Sequence, residues 1–394
     1  MSPDQIIASL LHEIHSVEAS ESYFLLKPTE KLTKALGRQP PVMLLFGEDH
    51  SSGVQCETCD PKNHCYSLFR QGKFSLLQYL NNMKDLYQTD VFVEKDFDTT
   101  SKLEPFKHKK KNKKQSAMIE IRETHANCMR WDKAQKVHPY GCAYPDIRMH
   151  MEDIRSVPDD SNYAEFFPTV VTNAIIDERS LPYSKAFQHF LDVMFPGIKT
   201  KELVDLYLHR LTIGPQQFYT TIFWHHPFFQ KYSKVYKQLR WLPHELLHDI
   251  KQYDMPLAIF PQPKIEKLFL KLQDNDKDEK LALHHLIQAI NLFAQNVGWD
   301  DIHLTFARDL GSWLGVNGPD LYFLGRALKV PEGSRPSQLC VLIAGGAHVE
   351  TIVNFLLSFG WYSCVSHEQN KGLNKCHTNI RQHDANNPHT FSIL

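Results

Sequence analysis

Two unbroken apolar runs, Val42–Phe46 (VMLLF) and Leu339–Ala344 (LCVLIA), each stop at glycine and are followed within four residues by histidine. An apolar run without alternation marks a strand covered on both faces, the situation of a parallel sheet flanked by helices. Neither run approaches the roughly 18 residues that a membrane span needs. A chain with two such strands has to build a layered core around them.

Helical periodicity supplies the flanking layers. Residues 3–16 set Ile6, Ile7, Leu10, Leu11 and Ile14 on one face, with Pro3 in the first turn. Phe74–Leu86 repeats the pattern with Phe74, Leu77, Leu80, Met83 and Leu86, and a short apolar strand, Val91–Val93, follows. Strand, helix and strand in succession predict a parallel pair joined by a right-handed crossover. Gly141–Arg148 and Leu257–Phe260 read as further strands. Gly345 and Gly346 lead into a helix from His348 to Phe359 closed by Gly360, and Tyr362–Ser366 and Thr390–Leu394 read as edge strands. Residues 151–300 differ: they are rich in aromatics, carry helical patterns at Glu202–Leu211 and Lys280–Val297, and include the polar linker 274–280. The expected fold is α/β, a central mainly parallel sheet flanked by helices with a largely helical insertion. Its boundaries are 1–150 for the N-terminal half of the core, 151–300 for the insertion and 301–394 for the C-terminal half.

The charge balance excludes a generally basic nucleic-acid binder. Of the 44 Lys and Arg residues, six lie in Lys107–Lys114 (KHKKKNKK), and the remaining 38 face 45 acidic residues. The lysine run lacks aromatic interleaving and reads as a solvated loop, with a localisation signal or polyanion contact as its sharper reading. Asp4 and Glu13 within the first apolar stretch argue against a signal peptide. With eight cysteines and no secretion signal, a reducing, cytoplasmic setting with free thiols is expected. Cys56, Cys59, His64 and Cys65 could supply four ligands to a structural zinc. The usual second ligand pair at longer separation is missing, so reduced cysteines or an oxidised pair are the default.

The chain contains 22 histidines, which makes histidine motifs cheap. Random placement gives about 0.06 HExxH strings and about one GxxH string per chain of this composition. The HExxH at His244-Glu245-Leu246-Leu247-His248 begins directly after Pro243, Pro256 stops the helix soon after, and no third ligand follows at short spacing. It reads as a helix surface rather than a zinc site. The two GxxH strings gain weight from position. Gly47-Glu48-Asp49-His50 and Gly345-Gly346-Ala347-His348 both end buried strands, where open α/β sheets place their ligands. Glu94 ends a third such strand, and Asp146, Arg148 and His150 (DIRMH) end a fourth. Two imidazoles and a carboxylate converging there suit a divalent ion such as manganese, zinc or cobalt. The expected roles are metal ligation by His50, Glu94 and His348, base action by Glu48, and anion stabilisation by Arg148.

In this order the motifs resemble a superfamily comprising Tiki-type metalloproteases, TraB-like proteins, ChaN-like haem-binding proteins and erythromycin esterases. The resemblance rests on GEDH at 47–50, VFVEKDF at 91–97 and GGAH at 345–348, covering roughly residues 40–150 and 300–366. It implies that His50, Glu94 and His348 sit together with Glu48 adjacent, in a metal-dependent hydrolase. The chain also resembles uncharacterised members encoded by large DNA viruses, through DIRMH at 146–150 and DLYFLGRAL at 320–328, which adds Asp146, Arg148, Asp320 and Arg326 as site residues beside the strand-end candidate His150. The expected substrate is a small molecule or a peptide, and the location the host cytoplasm or a virion. The alternative is a catalytically inactive virion or host-interaction protein that keeps the fold. It would bind a protein partner through the insertion, where Trp224, His225, His226, Phe228 and Phe229 form an apolar segment that reads first as helical core and second as a contact surface.

Overall fold

The computed structural model describes residues 1–48 except 19 and 21, 62–68 except 63, 75–94, 142–151 except 143, 200–253, 300–330, 335–369 and 377–379, with a few isolated positions besides. His50, Cys56, Cys59, the lysine run and the expected strands 257–260 and 390–394 lie outside the described residues.

In chain order the elements are α1 (Pro3–Glu13), β1 (Ser16–Glu18), β2 (Ser22–Pro28), α2 (Glu30–Leu36), β3 (Val42–Glu48), β4 (Cys65–Ser67), α3 (Leu76–Asn82), β5 (Thr89–Val93) and β6 (Arg148–Met151). Helices α4 (Thr200–Ile213), α5 (Pro215–His225), α6 (Pro227–Tyr232), α7 (Lys234–Leu239), α8 (His244–Gln252) and α9 (Asp300–Ala327) follow. The chain continues with β7 (Leu339–Gly345), α10 (Gly346–Ser358), β8 (Tyr362–Gln369) and β9 (His377–Asn379).

Six strands form one sheet in the order β6-β5-β7-β3-β2-β8, and β4-β1-β9 form a smaller one. Strands β6, β5, β7 and β3 run parallel, while β2 is antiparallel to both β3 and β8. The α/β reading with a mainly parallel sheet is therefore the observed fold. Val42–Phe46 and Leu339–Ala344 are neighbours in it, paired Val42 to Leu339 through Glu48 to Gly345. The fourth strand starts where Gly141–Arg148 was expected to end, at Arg148.

One face of the sheet is largely apolar. Leu44, Phe46, Val91, Val93, Val341 and Ile343 pack with Ile6, Ile7 and Leu10 of α1 and Leu76, Leu77 and Leu80 of α3. Each such side chain contributes about 1.5–3 kcal/mol by leaving water, which is why this layer holds the strands in register. Helix α1 starts cleanly because Ser2 and Gln5 form a capping box. The opposite face carries Asp90, Phe92 and Glu94 on β5 and Arg148 and His150 on β6, since alternate residues share a face. Phe323 of α9 meets Phe92 there edge to face, with ring centroids 5.1 Å apart.

The chain divides into two compact units, residues 1–154, 238–250 and 320–394, and residues 155–237 and 251–319. The first holds the sheet. The insertion is thus interrupted: residues 238–250, with most of α8, belong to the sheet unit. In the second unit Phe223, Trp224, Phe229 and Trp313 are buried, with Phe223 and Trp313 centroids 5.0 Å apart. Arg210 there donates to Asp309, both buried.

Candidate functional site at the carboxyl edge of the sheet

Strands β3, β7 and β5 end side by side, because Glu48 pairs with Gly345 and Val93 with Ile343. Glu94 follows β5 directly and is 7% exposed. Its backbone N–H donates to the Ile343 carbonyl at 2.9 Å, which continues the ladder one residue past the strand. Its carboxylate Oε2 accepts from the Gly345 N–H at 2.6 Å. Gly345 is the N-cap of α10, so the Glu94 charge lies at the positive end of that helix.

His348 stands in the first turn of α10 and is held from both sides. Its Nδ1 is 2.6 Å from Asp320 Oδ1, and its Nε2 is 3.3 Å from Glu94 Oε1. A carboxylate only accepts, so Nδ1 carries the proton toward Asp320. Asp320 is 1% exposed and lies on α9 just after Pro319. Nε2 faces the second carboxylate, Glu94, which likewise only accepts.

The remaining expected residues fall elsewhere. Glu48 is buried at the same edge, but it continues the Leu44 and Phe46 face, whereas Glu94 continues the Phe92 face. Arg148 opens β6 in register with Asp90, four residues before Glu94, or about 13 Å along the strand. There it clamps the buried Asp90 carboxylate through Nε and Nη2, so it is not positioned to steady charge at the edge. Asp146 makes a solvent-exposed pair with Lys84 at 3.0 Å. His150 stacks on Phe92 with centroids 4.6 Å apart, 3.7 Å from Asp90 Oδ1 and 3.4 Å from Arg326 Nη2.

Asp90, His150, Arg148 and Arg326 thus form a second polar cluster, nearer the amino ends of the strands. Burial by itself would raise the Asp90 carboxyl, but His150 and Arg148 outweigh it and hold the group below its ordinary value. Burial lowers the His150 imidazole, Asp90 opposes the shift, and the two arginines add to it. Asp90 went unread in the sequence, and its only signal there is an acidic residue opening the apolar strand TDVFV.

Helix α8 presents His244, Glu245 and His248 to solvent while Leu246 and Ile250 face inward. Asp249 of the same helix accepts from Trp361 Nε1 at 2.8 Å and Lys31 Nζ at 3.0 Å, which explains the helix as packing. Cys128 and Cys142 are joined in a disulfide, and Cys65 is disulfide-bonded too; Cys340 and Cys364 are free. The expectation of free thiols gives way at these positions, and a Cys65 sulfur in a disulfide offers no thiolate for a structural zinc. In the aromatic segment expected as a contact surface, Trp224, Phe228 and Phe229 are buried and His225 is exposed.

Among the described residues no group of three or more His, Cys, Asp or Glu could hold a metal ion, and no helix is long and apolar enough to cross a membrane. No family model, curated protein or solved structure matches the chain.

Proposed function

We propose that the carboxyl edge of the sheet is the site of a divalent-metal-dependent hydrolase acting on a small molecule or a peptide. The observation that carries this reading is the 3.3 Å between His348 Nε2 and Glu94 Oε1. Two donors on one tetrahedral ion, each about 2.0–2.1 Å from it, stand roughly 3.3–3.4 Å apart. The Asp320 carboxylate on Nδ1 supplies the outer partner that orients a metal-binding imidazole. His50, two residues past the end of β3, is the third donor on this reading.

His348, Glu94 and His50 would hold the ion, which would supply Lewis-acid activation of water. The protein's own contribution is orientation. Asp320 fixes the His348 tautomer, and the Gly345 N–H fixes the Glu94 carboxylate. Glu94 and Asp320 are buried and His348 is half-buried, which limits the water that reaches the donors.

Metal content of the purified full chain tests the proposal against His50→Ala, His348→Ala and the double variant, with circular dichroism as the folding control. About one bound ion per chain is expected, lost in the double variant, with hydrolysis of p-nitrophenyl esters or fluorogenic peptides lost alongside. Equal metal content in wild type and double variant removes the metal reading.

A further inference from the structure

At the other end of the sheet, a pocket of about 330 Å³ opens where β3 and β7 begin. Its walls come from Pro3 and Ile6 of α1, from Arg38 and Pro40 before β3, and from Arg335 and Ser337 before β7, with neighbours of each. The floor is apolar: Ile6 is 1% exposed and Pro40 is buried. Arg38 and Arg335 are among its lining residues, and none of the described residues that line it is acidic.

Neither arginine has a carboxylate partner among the described residues. Arg38 donates only to main-chain oxygens, from Nη1 to Gln39 at 3.2 Å and from Nη2 to Leu328. The Arg335 side chain is exposed, but its backbone is fixed: the carbonyl accepts from Arg148 Nη1 at 2.9 Å. Arg148 is itself clamped on Asp90, so the second polar cluster holds this rim in place. Burial lowers the Arg38 guanidinium from its ordinary value, with Tyr362 opposing, yet an arginine stays protonated in proteins. A cation drawn partly out of water and answered only by neutral carbonyls retains a strong attraction for an anion.

We infer that this pocket binds a small organic anion, with an apolar body on Ile6, Pro3 and Pro40 and a carboxylate or phosphate held by Arg38 and Arg335. The length of β3, about 20 Å from Val42 to Glu48, separates it from the His348 site. It is therefore a second site, independent of any chemistry at the carboxyl edge.

Isothermal titration of the full chain with benzoate, phenyl phosphate and phenol tests the inference, with the Ile6 methyl resonance followed by NMR. At least one anion should saturate at one site per chain and shift the Ile6 signal, while neutral phenol binds about tenfold more weakly or worse. A preference for benzoate identifies a carboxylate ligand, and the reverse a phosphate. Arg335→Gln, at an exposed position, should weaken the anion about tenfold without moving the urea midpoint, and Arg38→Gln should act in the same direction. The inference is overturned if neither anion shifts the Ile6 signal, if phenol binds as tightly, or if Arg335→Gln leaves anion affinity unchanged.

Discussion

His348 Nδ1 lies 2.6 Å from Asp320 Oδ1, which ties the first turn of α10 to the C-terminal third of α9. The contact orients the imidazole and decides which of its nitrogens faces Glu94. Replacing Asp320 by Asn keeps the volume and removes the charge. On the proposed metal reading, affinity for zinc or manganese should fall about 10- to 100-fold by equilibrium dialysis, the usual effect of losing a metal ligand's outer partner. Undiminished affinity would show that Asp320 serves packing alone.

Gly47 precedes Glu48 where β2, β3 and the start of α10 converge. A Cβ added there would strike Ser22 Oγ and lie 3.1 Å from Gly346 Cα. Gly47→Ala should cost about 1–3 kcal/mol in urea unfolding, the range for overpacking. In a Ser22→Ala background the same change meets only the Ser22 Cβ position at 3.7 Å, an ordinary contact, besides Gly346. Part of the loss should then be recovered, and a double-mutant cycle measures how much.

The second polar cluster predicts an acid-side loss of stability in two steps. The folded-state pKa of His150 is below its ordinary value, about 6.5, so below that pH the unfolded chain binds more protons and stability falls. Asp90 is also lowered, so its contribution is present above the ordinary carboxylate pKa, about 3.9, and is lost only as pH drops through the folded value. Urea midpoints at pH 7.5 and 5.5 should therefore differ more in wild type than in His150→Gln. Equal differences would remove His150 as the source.

In the helical unit the buried Arg210–Asp309 pair makes a separate prediction. Asp309→Ala leaves the guanidinium buried without this counter-charge, and breaking such a pair by removing one partner costs about 3–5 kcal/mol. Asp309→Asn, which keeps an acceptor, should cost less. Denaturation followed by Trp fluorescence would report this directly, because Trp224 and Trp313 are buried in the same unit.

Strand burial was legible because it is written locally. VMLLF and LCVLIA have no polar face, so whichever way they are placed they need cover on both sides, and they are the central neighbours β3 and β7. Strand β2, SYFLLKP, went unread. Its apolar stretch is short and flanked by polar residues, and only pairing between β3 and β8 buries it. Gly141–Arg148 was read too early because its glycine, proline and cysteine punctuation resembles a strand boundary, while the ladder with β5 begins at Arg148. The HExxH string was legible as packing once the surrounding leucines were counted, and α8 uses Leu246 and Ile250 in that way.

By itself, then, the sequence marked three of the buried strands, β3, β5 and β7, and showed that Glu94 and His348 follow the ends of two of them. Apolar composition and strand-end glycines act over a few residues, and burial follows from them wherever the chain goes. Only the tertiary structure decided that His348 meets Asp320, 28 residues away, and that Glu94 caps Gly345 across 251 residues. It also decided that Arg148 serves Asp90. Those outcomes depend on register and on the packing of Asp320 and Phe323, at the end of α9, against the sheet. A shift of one residue in a strand exchanges its faces, so no reading of local pattern can decide them.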